Sequence, residues 1–177
     1  LPTVIHEQFA ELWRRSVETQ TEWGAMLCLD KAGEVQCRDV RQGEPAAFLA
    51  TARVAREERL LGVYHTHVYA SGESGFAFSD NDFATFIGLP ALRLLLVRSG
   101  QDMFGLARTP ETVAGVPGDS VGGLGRFYER WADRYETLAG LTLQECLLQT
   151  NLEFRQLFRV ALYRGRAHEA MKAVSRP

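Results

Sequence analysis

Two of the four histidines stand one residue apart, as His65-Thr66-His67, at the end of the apolar run Leu60-Leu61-Gly62-Val63-Tyr64. Eleven residues then lead to Ser79-Asp80-Asn81-Asp82. On an extended strand, residues i and i+2 point to the same face, so both imidazoles can reach one metal ion. A catalytic zinc takes three protein ligands and leaves its fourth position to water. Asp82 is the nearest acidic candidate for the third, because a helix that starts near Ser79 turns its first-turn side chains toward the preceding loop; Asp80 is the alternative. A plainer reading of the same residues is a capping arrangement, with serine at the N-cap and an acid three residues on. The two readings coexist, since a helix start that holds Ser79 rigid also serves a site.

These residues need a strand, a loop and a helix start, and the flanking sequence supplies them. Leu61, Val63, His65 and His67 alternate on one face of a buried strand. Asp80 to Gly88 is expected as a helix stopped by Gly88 and Pro90, and ALRLLLVRS and DMFGLART follow as strands. Upstream, Ile5, Phe9, Leu12, Trp13 and Val17 recur at helical spacing, and AMLCLD and EVQCRDV flank Lys31-Ala32-Gly33 as a hairpin or neighbouring strands. Ala46 to Arg59 is rich in helix formers and is expected as a helix. Val113 to Gly125 reads as a linker, and Arg126 to Val174 as helical with breaks near Gly140 and Gly165.

The chain has 177 residues, a net charge of −2 and 24% charged residues, which describes an ordinary globular chain without bulk attraction for nucleic acid or anionic lipid. It has no run of the ~20 apolar residues that span a bilayer and no signal-peptide pattern at its start. A first residue of Leu points to an excised domain or a processed chain. Cys28, Cys37 and Cys146 form no CxxC pair and sit in apolar contexts, so they are expected as free buried thiols. The expected location is cytoplasmic, with delivery inside a larger secreted polypeptide left open.

His65-x-His67, the intervening loop and Ser79-x-x-Asp82 together resemble the JAMM (MPN+, JAB) motif of zinc metallopeptidases that cleave isopeptide or peptide bonds beside ubiquitin-like domains. The resemblance covers about half the chain, Thr21 to Arg108. It implies a zinc cofactor, a protein or peptide substrate, and an α/β fold with a central curved mixed sheet flanked by helices, of the kind shared with cytidine deaminases. It also implies that Glu22, ahead of the strand AMLCLD, is the proton-transferring base, and that Ser79 donates a hydrogen bond to the oxyanion. The family has a glycine after that glutamate, where this chain has Trp23-Gly24-Ala25. The family spacing between histidine and serine is shorter; the longer one is similar to a bacterial branch of JAB-like domains in polymorphic-toxin and secreted polypeptides. Other zinc hydrolases fit less well. HExxH is absent, Val68-Tyr69-Ala70 lacks the acid and histidine of a metallo-β-lactamase, and His6 and His168 lie in helix-like segments. A non-catalytic scaffold of the same fold and a zinc hydrolase of non-peptide substrates are the alternatives.

The loop Val68 to Phe78 carries Gly72, Gly75 and the aromatics Tyr69, Phe76 and Phe78, which are expected either to fold onto the core or to line a groove for the substrate's extended tail. The domain reading is 1–112 for the metallopeptidase unit, 113–125 for the linker and 126–177 for a C-terminal helical segment. In the last, Phe127, Trp131, Tyr135 and Leu138 form a stripe that packs on the domain or meets a partner.

Overall fold

Ile5, Phe9 and Leu12 recur at helical spacing and wind the first segment into α1 (Thr3–Thr19), with these three side chains buried. Val17, expected on the same stripe, is 45% exposed, and Ser16 takes the buried position in its place. The computed structural model describes residues 3–43, 54–68, 75–113 and 140–174. After α1 come β1 (Trp23–Leu29), β2 (Val35–Gln42), β3 (Arg59–Thr66), α2 (Asp80–Gly88), β4 (Leu94–Ser99), β5 (Asp102–Arg108), α3 (Leu143–Phe158), β6 (Val160–Arg166) and β7 (Lys172–Ala173).

The strands form one mixed sheet in the order β2-β1-β3-β4-β5-β6-β7. The β1–β2 hairpin turns at Gly33 with φ +82°, where Asp30 accepts hydrogen bonds from Ala32 and Glu34 N–H. Among the described strands only β3 and β4 pair in parallel, so the chain between them must cross over, and that crossover carries α2. Gly62 is required here: a Cβ on it would sit 2.0 Å from the Leu94 carbonyl oxygen of β4. The β1–β3 register slips between Leu27 and Cys28, which pair with Gly62 and Leu60, and Leu61 is the extra residue. Leu61 therefore packs on the α1 side with Tyr64, whereas Val63 faces the other way. The expected alternation from Leu61 through His67 holds only from Val63 onward.

Helices cover both faces of the sheet. On one face, Ile5, Phe9 and Leu12 of α1 meet Ala25, Leu27, Tyr64, Leu96 and Met103. On the other, Phe83, Phe86 and Ile87 of α2 and Leu147, Phe154 and Phe158 of α3 pack on Val63, Leu95, Val97, Phe104 and Leu106. Arg108 closes the C-terminal end of α2, donating to the carbonyls of Phe86 and Ile87 in its last turn and of Leu89 and Leu92 just beyond it. Cys28, Cys37 and Cys146 are free and buried, as expected. No helix among the described residues is long and apolar enough to cross a membrane.

The expectation of helix through Val174 is wrong after Phe158. Arg159 adopts a left-handed conformation (φ 54°, ψ 43°) that ends α3, and β6 then pairs with β5 from Val160 to Arg166. The described C-terminal segment thus adds β6 and β7 to the same sheet and packs α3 on it. Of the helix expected from Ala46 to Arg59, residues 46–53 lie outside the described residues, 54–58 form turn and coil, and Arg59 begins β3. The linker beyond Val113, the stripe Phe127, Trp131, Tyr135 and Leu138, and Tyr69 also lie outside them.

Phe154 ties α3 to α2 in the core on their shared face of the sheet, with its ring centroid 5.9 Å from both Phe83 of α2 and Phe158 of α3. Phe154→Ala should lower unfolding stability by about 3–5 kcal/mol in urea titration. A loss below about 1 kcal/mol would show that α3 contributes little to the core.

Candidate metal centre

At the carboxyl end of β3, sheet pleating puts His65 and His67 on the α2 face, and the backbone N–H of His67 is fixed to the Arg98 carbonyl at 2.8 Å. His65 is fully buried and His67 is 4% exposed. Their Nε2 atoms are 3.1 Å apart. Asp82, in the first turn of α2 and 3% exposed, brings Oδ1 to 3.0 Å from His65 Nε2 and Oδ2 to 3.3 Å from His67 Nε2. Of the two acids considered from the sequence, Asp82 rather than Asp80 lies beside the imidazoles. The expected cap is present too: Ser79 Oγ accepts from the Asp82 N–H, and Asp82 Oδ2 accepts from Ser79 N and Oγ, both at 2.8 Å.

Glu22 approaches from the strand on the other side of β3. Its Oε1 lies 3.8 Å from His67 Nε2, and its side chain is 29% exposed. The potential ligand atoms of Glu22, His65 and His67 all fall within 4.8 Å of one another. The centre therefore holds two imidazoles between a buried carboxylate and a half-exposed one.

This donor set fits a tetrahedral metal ion. Ligand atoms on zinc with bonds of about 2.0–2.1 Å stand about 3.3 Å apart. The 3.1 Å between the two Nε2 atoms is close to that edge, and Asp82 approaches them with different oxygens, Oδ1 at 3.0 Å from His65 and Oδ2 at 3.3 Å from His67. Two facing imidazole nitrogens share at most one hydrogen, so the cluster holds more lone pairs than protons, and a cation is its natural complement. Among the described residues, His65 Nδ1 has no hydrogen-bond partner, which leaves Nε2 as that ring's working atom. Zinc is the metal that the motif resemblance implies, and imidazole pairs also suit other divalent first-row ions.

Burial by itself would lower the His67 pKa, but Asp82, Glu22 and the Phe76 backbone overcome it and raise it from 6.5 to about 9. Burial would likewise raise Asp82, and His65 and His67 instead hold its carboxyl well below the usual carboxylate range.

Ser79 does not present a free hydroxyl proton in this geometry, because that proton goes to Asp82 Oδ2. The oxyanion role expected for it would need the hydroxyl to turn away. Of the two places expected for Phe76 and Phe78, they take the core: at 6% and 0% exposure they pack with Phe83 between α2 and α3, not along a groove. Burying two aromatic rings outweighs leaving them in water. His6 and His168 have ring centroids 6.1 Å apart, and His168 sits after β6, not in a helix.

Sequence reading missed the residues that brace the loop into this position. Asn151 of α3 is fully buried and clamps Phe78 on both sides, accepting from its N–H at 3.0 Å and donating to its carbonyl at 2.8 Å. Ser99, at the end of β4, accepts from Phe76 N–H through its hydroxyl and from Gly75 N–H through its carbonyl. The available signal was Asn151 itself, a polar residue among the apolar positions of its helix.

Comparison with protein-family models, with characterised proteins and with solved structures finds no match to this chain.

Two outcomes are expected. A histidine with a raised pKa stabilises the metal-free fold fully below about 6.5, and that contribution fades as pH rises through about 9. Metal binding must displace this proton, so it should release about one proton near pH 7 and tighten toward pH 9. Calorimetry in two buffers of different ionisation enthalpy measures the release, and a buffer-independent heat would contradict it. Asn151→Leu keeps similar volume but strands both polar groups of Phe78, and metal affinity should fall about 10- to 100-fold in competition with a chelator.

Proposed function

We propose that this chain is a zinc-dependent hydrolase of the JAMM type that cleaves a peptide or isopeptide bond, next to a ubiquitin-like domain in the most specific form of the reading. The observation that carries it is the convergence of His65, His67 and Asp82 at ligand spacing, with Glu22 beside them, from separate elements of the fold. These are the residues that the motif resemblance assigns to metal and base.

In this reading His65, His67 and Asp82 hold the metal, with Asp82 kept ionised by the two imidazoles and oriented by Ser79. Zinc, when bound, supplies Lewis acidity that lowers the pKa of a water to about 7. Glu22 sits between solvent and the histidines, where its carboxylate takes a proton from the attacking water and passes it to the departing amine. Ser79 is assigned to holding Asp82, since both its N–H and O–H are directed there. The bond is broken by water directly, so no acyl-enzyme forms on the chain.

The test measures zinc content and turnover together, with a lysine-linked ubiquitin-like conjugate, a linear fusion and a small amide as substrates. His65→Ala and Asp82→Ala should lose the metal. Glu22→Gln should retain it while turnover drops about 10²- to 10⁴-fold, the usual contribution of a positioned acid–base group. Full zinc in a His65, His67 double alanine variant, or wild-type rates in Glu22→Gln, would contradict the reading. Cleavage of the amide alone would move the substrate away from proteins.

A further inference from the structure

Thr66 stands between the two histidines, so the alternation that sends their rings toward α2 sends its side chain to the α1 face. There it is fully buried. Its Oγ1 meets both polar groups of Trp23: it accepts from the N–H at 2.9 Å and donates to the carbonyl at 3.2 Å. Ser16 of α1, also fully buried, places its hydroxyl against the same oxygen. One hydroxyl has one proton, so when Thr66 gives its own to the Trp23 carbonyl, the Ser16 hydroxyl donates to Thr66, and every group in the cluster is satisfied.

The site of this cluster matters. The last backbone pair of the β1–β3 ladder at this end is Gly24 with His65, and beyond it both Trp23 groups turn to a side chain. Glu22 is the next residue, its own carbonyl fixed by Gly43 N–H at 2.9 Å. Inserting a hydroxyl where a backbone pair would continue the ladder sets where β1 leaves β3, and hence where Glu22 starts toward His67.

We propose that Thr66, buttressed by Ser16, is the positioning residue for Glu22: it fixes the Trp23 peptide so that the Glu22 carboxylate lies beside the histidine pair. This inference rests on the hydrolytic reading above. It predicts that one residue links the two halves of the site, with the metal ligands on one face of the strand and the anchor of the base on the other. Thr66 touches neither metal nor substrate, so its loss should spare metal binding and impair turnover.

The experiment compares full-length Thr66→Val, which keeps the shape and removes the hydroxyl, with Thr66→Ser, which restores it, and with Glu22→Gln. Hydrogen exchange at the Trp23 amide, zinc content, and kcat and KM are measured on each. For Thr66→Val the Trp23 amide should exchange about tenfold faster or more. Zinc should stay at wild-type content, kcat should fall about 10- to 100-fold at unchanged KM, and Thr66→Ser should recover most of it. If Thr66→Val does not fold, Ser16→Ala withdraws only the α1 partner and should shift exchange and kcat in the same direction by less. Wild-type Trp23 protection, or wild-type kcat in Thr66→Val while Glu22→Gln is inactive, would overturn the proposal. Wild-type turnover in Glu22→Gln would instead remove the hydrolytic reading, a result separate from the exchange at Trp23.

Discussion

A carboxylate buried to 3% exposure between two imidazole nitrogens is the constraint around which this protein is arranged. Taking Asp82 out of water is costly unless positive charge or hydrogen-bond donors face it, and His65, His67 and Ser79 do so. The attraction outweighs burial on both sides, with His67 raised to about 9 and Asp82 held low. A proton on the imidazoles meets part of this demand for positive charge, and a divalent cation at this focus would meet more of it.

The fold creates that focus at one place. The parallel pair β3–β4 requires a crossover, and the crossover returns α2 with its N-terminal turn at the carboxyl end of β3, where sites of open α/β sheets form. Bracing then arrives from both faces. On the α2 side, Asn151 and Ser99 hold the backbone of Gly75 to Phe78, just ahead of the Ser79 cap. On the α1 side, Ser16 and Thr66 hold Trp23, just after Glu22. Rigid elements on both sides of β3 thus define the distance between Glu22 and the cluster of His65, His67 and Asp82.

What could be read from the sequence was local. The i, i+2 histidines on an alternating strand, the S-x-x-D start of α2 and the hairpin around Gly33 each depend on spacings of a few residues, and each stands as expected. What could not be read was held over distance. Ser16 with Thr66, Trp23 with Thr66 and Phe78 with Asn151 are separated by 50, 43 and 73 residues, and nothing local marks a serine in a helix as a strand's partner. Val160 to Arg166 was missed for a different reason: the turn before it is made by Arg159 in a left-handed conformation, with no glycine or proline to signal that α3 stops. Phe76 and Phe78 were ambiguous by composition, and the apolar surface of α2 and α3 decided for the core.

The most direct measurement of the account is zinc-edge X-ray absorption of the purified, zinc-loaded chain. The account predicts four light-atom ligands at about 2.0–2.1 Å, with the outer-shell scattering of two imidazoles. That imidazole signal should vanish, along with tight binding, in the His65, His67 double alanine variant. Zinc bound with oxygen ligands only, or with the same spectrum after both histidines are removed, would contradict it.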